Sequence, residues 1–259
     1  MKLRLRDFTS ARVGLARAGN SLPTRELLAL QLAHARAREA VHSKLDCQAA
    51  AFEGQEVLFV RSAASDRAAY LRRPDLGRQL CDESHGLLVR RKGRFDAVFV
   101  IADGLSALAV HLHATGLLAA SVRLLDRANW NLAPVVVVEQ GRVAVGDEIG
   151  ECLGAALSVV LIGERPGLSA ADSLGVYLSW NPHPGLTDAD RNCISNIRSE
   201  GLSYEVAAHR LVFLMNESRR RKLSGFQLKE DAEAGRLTIG RRLTTCPTDT
   251  ESLRQGEDY

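Results

Sequence analysis

Ser158-Val159-Val160-Leu161-Ile162-Gly163-Glu164-Arg165-Pro166 decides the fold. Its apolar run is rich in β-branched residues and closes on Gly163 and Pro166, the pattern of a strand buried on both faces. Open α/β sheets bind ligands just beyond the carboxyl ends of such strands. Glu164 and Arg165 stand at that place, as ligand-facing groups or as a surface salt bridge after a core strand.

Outward from this strand the pattern repeats. Asp96–Ala102 and Pro134–Glu139 read as buried strands, and Val176–Trp180 reads as a fourth. Asp103-Gly104-Leu105-Ser106 opens a helix that runs to about Ala128. Gly141–Val145 extends beyond the second strand, and a short helix starts at Gly146 with Asp147 and Glu148 in its first turn, where the helix dipole favours acids. A long helix covers Ser203 to about Leu223, with Val206, His209, Val212 and Phe213 near one face. Strands alternating with helices imply a Rossmann-like, doubly wound parallel sheet.

The first ninety residues read as mainly helical. After Pro23, Leu27, Leu30, His34, Ala37 and Val41 fall on one helical face, and Glu56–Val60 reads as a short strand. Arg90-Arg91-Lys92-Gly93-Arg94 reads as a solvated boundary, dividing a helical domain (1–93) from a Rossmann-like domain (94–259). The tail from Thr244 is polar.

Composition narrows the function classes. Of the 259 residues, 46% are hydrophobic, enough for a substantial core. A net charge of +3 does not argue for nucleic acid. No apolar run approaches a membrane span, and the basic start of the chain has no apolar core of a signal peptide. Cys47, Cys81, Cys152, Cys193 and Cys246 are odd in number and form no Cys-x-x-Cys pair, which points to reduced thiols in the cytoplasm.

Common catalytic motifs are absent. The chain has no dinucleotide fingerprint, phosphate-binding P-loop or Gly-x-Ser-x-Gly elbow. Asp103–Ser106 reads either as a capped turn or as a loop whose amides meet a phosphate or an amide-bearing ligand. His111 and His113 point to different helix faces, which disfavours a shared metal. Asp190–Arg198 is dense in polar groups, and its Cys193 reads as a structural thiol or a ligand contact rather than a nucleophile.

Several segments, taken together and in order, resemble the small (light) subunit of adenosylcobalamin-dependent ethanolamine ammonia-lyase. They include Thr9-Ser10-Ala11-Arg12-Val13, Tyr70–Arg78, Gly141-Arg142-Val143, Gly163-Glu164-Arg165-Pro166-Gly167-Leu168 and Asn192-Cys193-Ile194-Ser195-Asn196-Ile197. The last two carry the most specific likeness. The resemblance implies a cofactor-gripping subunit that holds cobalamin against a large catalytic subunit, which binds ethanolamine. The implied reaction is radical deamination to acetaldehyde and ammonia. It implies cobalamin contacts at Val143, Glu164 and Cys193 in loops at strand ends, and no catalytic or metal-ligating residue in this chain. His113-Ala114-Thr115-Gly116 has His111 where base-off cobalamin domains carry Asp, so the cofactor is expected base-on. Only eight residues precede Thr9, short for the family members that enter a bacterial microcompartment. Two other readings stand beside this one: a stand-alone cobalamin- or nucleotide-binding sensor or carrier, and a structural assembly subunit.

Overall fold

The organising run is a strand, Ala155–Gly163, and nearly every residue in it is buried. The computed structural model describes residues 5, 8–9, 12–46, 55–126 and 129–228. Cys47, Cys246 and the polar tail from Thr244 lie outside the described residues. In chain order the elements are α1 (Thr24–His42), β1 (Val57–Arg61), α2 (Arg67–Arg72), α3 (Asp82–Val89), β2 (Phe95–Ala102), α4 (Ala107–Leu125), β3 (Val135–Glu139), α5 (Val145–Leu153), β4 (Ala155–Gly163), β5 (Leu174–Trp180), β6 (Arg191–Ile197) and α6 (Tyr204–Arg221).

The six strands form one mixed sheet in the order β1-β3-β2-β4-β5-β6. β1, β3, β2 and β4 are parallel. β5 and β6 run antiparallel, which corrects the expectation of an all-parallel sheet. The connections 164–173 and 181–190 hold no crossover helix. Parallel pairing needs a crossover of roughly a dozen residues or more, usually a helix. β6 corrects a second expectation, because Cys193, implied to lie in a loop, is part of a strand. β1 precedes residue 93, where the sequence divides the chain, and pairs with β3 in the same sheet.

Alternating strand residues feed two cores. On one face Phe99, Ile101 and Leu161 meet α4 and α6 through Leu117, Leu118 and Leu211. On the other Val98, Val100 and Val138 meet α3 and α5 through Leu88, Ile149 and Leu153. α4 is long and apolar enough to cross a membrane by length and composition, contrary to the sequence reading, and half of it is buried in the first core. The buried face of α6 is Ala207, Ala208, Leu211, Leu214 and Met215, while Val206 and His209 are exposed. On α1 the covered residues are Leu30, Ala33, Ala37, Ala40 and Val41. Leu27, Leu28 and Leu32 are 44%, 58% and 52% exposed, and His34 is exposed. Small alanines allow close approach, so they face inward and the leucines face out.

Adjacent strands β2 and β3 send their chains to opposite faces, to α4 and α5. Their carboxyl ends therefore border a crevice of the kind where α/β sheets hold ligands.

Candidate functional site

Beyond β2, Asp103 turns the chain. Gly104 has φ +56°, and a Cβ there would lie 2.3 Å from the Gly163 carbonyl oxygen, so only glycine fits. The Leu105 N–H donates to Gly163 O (3.0 Å) and the Ser106 N–H to Asp103 O (3.2 Å). The Ser106 hydroxyl caps α4 by accepting from Ala109 N–H (3.2 Å). These amides are engaged within the chain, so the phosphate-loop reading of this turn gives way to the capped-turn reading. The Asp103 carboxylate accepts from Gly141 N–H (3.0 Å) and pairs with Arg67 (3.5 Å). Burial pushes this carboxyl up to about 6, against the pull of Arg67.

Beyond β3, Gly141–Ala144 is not an extension of the strand but a turn into α5. Val143 is half-buried there and packs against the second core with Tyr177. Both line a cavity of about 910 Å³, together with Gln79, Arg142, Glu148 and Arg191. Arg191 is 8% exposed and donates to Asp147, to Asp188 (3.2 Å) and to Leu186 O (3.1 Å), which fixes one cavity wall.

Beyond β4, the Glu164 N–H donates to Ser173 O (2.9 Å). Its carboxylate accepts from the Ser173 hydroxyl, the Ser195 hydroxyl (2.5 Å) and the Asn196 N–H (3.4 Å). Gly175 makes this possible, since a Cβ there would stand 2.9 Å from Glu164 Oε1. The partners of the Glu164 carboxylate among the described residues are thus hydroxyls and a backbone amide rather than Arg165. Glu164 ties the ends of β5 and β6 to β4.

Cys193 sits on β6, the sheet's last strand, and not in a loop as expected. It is directly opposite Tyr177. Burial, the hydrogen-bonded Cys193 and the charge of Glu164 all push the Tyr177 phenol up. Cys193 is exposed on this outer strand, yet partial desolvation of its thiol beside the ring, with the charge of Glu164, pushes it up against the pull of the Tyr177 hydrogen bond, which leaves it a poor nucleophile at neutral pH. Tyr177 thus joins three residues that are far apart in sequence: Val143 across the cavity, Cys193 across the strand pair, and Glu164 through its charge. Sequence reading missed Tyr177. Its signal is a half-polar aromatic in an otherwise apolar strand, and only the sheet pairing shows which neighbours it meets.

The two histidines part as expected. His111 Nε2 accepts from Asp46 N–H (2.8 Å), while His113 Nδ1 meets the Tyr204 hydroxyl (2.7 Å). Among the described residues no group of three His, Cys, Asp or Glu could hold a metal ion.

Comparison with known proteins follows this geometry. The model of the family "Ethanolamine ammonia-lyase light chain (EutC)" matches residues 1–229. An "Ethanolamine ammonia-lyase small subunit" of Pseudomonas fluorescens is 54% identical over 243 residues, covering 91% of this chain and 89% of its own. One of Ralstonia nicotianae is 54% identical over 246 residues (92% and 91%), and one of Azotobacter vinelandii 55% over 243 (90% and 89%). Nearly the whole described fold lies inside these matches, and the chain belongs to the ethanolamine ammonia-lyase light chain family.

Proposed function

We propose that this chain is the cofactor-gripping subunit of an adenosylcobalamin-dependent ethanolamine ammonia-lyase, and that Val143, Tyr177, Glu164 and Cys193 form the surface on which the corrin rests. The observation that carries this reading is that Val143 and Tyr177 line one cavity of about 910 Å³, while Tyr177 stands opposite Cys193 on the neighbouring strand and feels the charge of Glu164. Their chemistry fits a corrin, whose rim carries amides that both donate and accept. The Glu164 carboxylate accepts, the Arg142 guanidinium donates, and Val143 and the Tyr177 ring cover apolar parts. Arg142 Nε, at this cavity, is buried without a hydrogen-bond partner among the described residues, which suits a site that takes a polar ligand.

Bound adenosylcobalamin supplies the radical chemistry. This chain's own groups bind, orient and exclude water. Cys193 and Tyr177 hold their protons at neutral pH, so neither adds a negative charge to this surface. His113 belongs to α4, whose core lies on the opposite side of the sheet from Val143 and Tyr177. His113 would therefore not reach a cobalamin held here, which supports a cofactor that would keep its own base on cobalt. In this reading β1 to β4 form the Rossmann-like half, Glu164 follows β4, and β5 and β6 add Tyr177 and Cys193.

A large catalytic subunit completes the enzyme. The exposed leucines of α1, with Leu112 (54% exposed) and Leu168 (46% exposed), form an apolar surface suited to a partner chain. The test is reconstitution. The purified chain, a matching large subunit, adenosylcobalamin and ethanolamine should yield acetaldehyde, read by coupled alcohol dehydrogenase, and omission of any component should abolish it. Association of the two chains with intact cofactor and no product would overturn the reading.

A further inference from the structure

We propose that Arg142 binds the phosphodiester of the cobalamin nucleotide loop, an inference that rests on the cobalamin reading above. Arg142 stands in the turn beyond β3, next to Val143 and at the β2–β3 crevice. Its guanidinium lies over the Tyr70 ring, 4.5 Å from the centroid. Tyr70 is 1% exposed and carries a second guanidinium, that of Arg67, at 4.6 Å. One Arg142 terminal nitrogen donates to Tyr70 O (3.1 Å), and its backbone N–H donates to Gly77 O (2.8 Å). A Cβ on Gly77 would press to 3.1 Å from Arg142 Cγ, so glycine leaves room for the arm. The side chain is thus held in place before any ligand arrives.

What it is held for is an acceptor. Nearby Arg67 is matched with Asp103, and Arg191 with Asp147 and Asp188, while Arg78 on the cavity rim is exposed. Arg142 has no carboxylate partner among the described residues, and its Nε is buried without an acceptor. An arginine presents five donors in a flat fork that matches a phosphate's geometry. Cobalamin carries neutral amides around its rim and a single anionic phosphodiester, in the loop that links the corrin to its base. A fixed, unmatched guanidinium at the cavity wall is complementary to that one charge.

The test compares two probes on the assembled complex of the full chain and its large subunit. Cyanocobalamin has the phosphodiester, whereas dicyanocobinamide lacks the whole nucleotide loop. Binding is measured by equilibrium dialysis and visible absorbance. Arg142→Gln should weaken cyanocobalamin by about tenfold or more, with cobinamide within about twofold of wild type. Arg142→Lys, which keeps the charge but not the fork, should recover part of the loss. Circular dichroism and gel filtration select variants that are folded and assembled. Equal losses for both probes in such a variant would mean that Arg142 meets the corrin rim, and no loss for either that it lies outside the site. Both results overturn the proposal. A wild-type complex that binds neither probe would overturn the cobalamin reading itself.

Discussion

Tyr177 on β5 faces Cys193 on β6 across an antiparallel strand pair, and desolvation, with the Glu164 carboxylate adding to it, raises the titration of both. This pairing turns three separate sequence motifs into one surface. It also makes Tyr177 the side chain that links the residues proposed to face the cofactor.

Tyr177→Ala should therefore lower cobalamin affinity in the assembled enzyme by about tenfold, equivalent to about 1.4 kcal/mol. Tyr177→Phe, which keeps the ring and loses only the hydroxyl, should lose less. Equilibrium dialysis with cyanocobalamin separates the two.

Glu164 plays a structural part beside its proposed contact with the cofactor. Its carboxylate gathers the Ser173 hydroxyl, the Ser195 hydroxyl and the Asn196 N–H. Glu164→Ala should cost about 1–3 kcal/mol of stability, the range for lost hydrogen bonds to a charged group, beyond any loss of cofactor binding. Urea unfolding of the isolated chain reads the stability share alone.

The Arg191–Asp147 pair is almost fully buried. Arg191→Met leaves the Asp147 charge without its partner and should destabilise the chain by about 3–5 kcal/mol. Replacing both residues with apolar ones of similar size should cost much less. Thermal unfolding of the single and double variants measures the difference.

Asp103 gives a pH dependence. Its folded pKa of about 6 lies above the usual carboxylate value, because burial disfavours the charged form. The folded state then binds the proton more tightly than the unfolded state. This contribution to stability is full below about pH 4 and is lost as pH rises through 6, by roughly 1–3 kcal/mol. Asp103→Asn should remove that slope between pH 4.5 and 7 in chemical unfolding. An unchanged slope would assign it to other groups.

Much of the fold is legible in the sequence. β2, β3 and β4 are β-branched runs buried on both faces, and such runs have few alternatives. β6 is not legible in this way. It is the last strand, with Asn192, Cys193, Ser195 and Asn196 only partly covered or exposed, so its composition resembles a loop. The antiparallel turn of β5 and β6 has a signal in the short connections, which pattern reading alone passes over. On α1 the periodicity locates the helix, but Leu27 and Ala33 compete for the inward face, and close packing decides for the alanine. Val143, Glu164 and Cys193 are singled out as cobalamin contacts by family motifs alone. Tyr177 and the unmatched Arg142 emerge only from contacts, because no spacing in the chain links Tyr70 to Arg142 or Tyr177 to Cys193.

The central claim is that the corrin rests on the Val143, Tyr177, Glu164 and Cys193 surface. The most direct measurement is an experimental structure of this chain assembled with its large subunit and cyanocobalamin. The account predicts corrin density in contact with Val143, Tyr177 and Cys193, with the cofactor's own base on cobalt. Corrin bound elsewhere on the complex, or a protein histidine on cobalt, would contradict it.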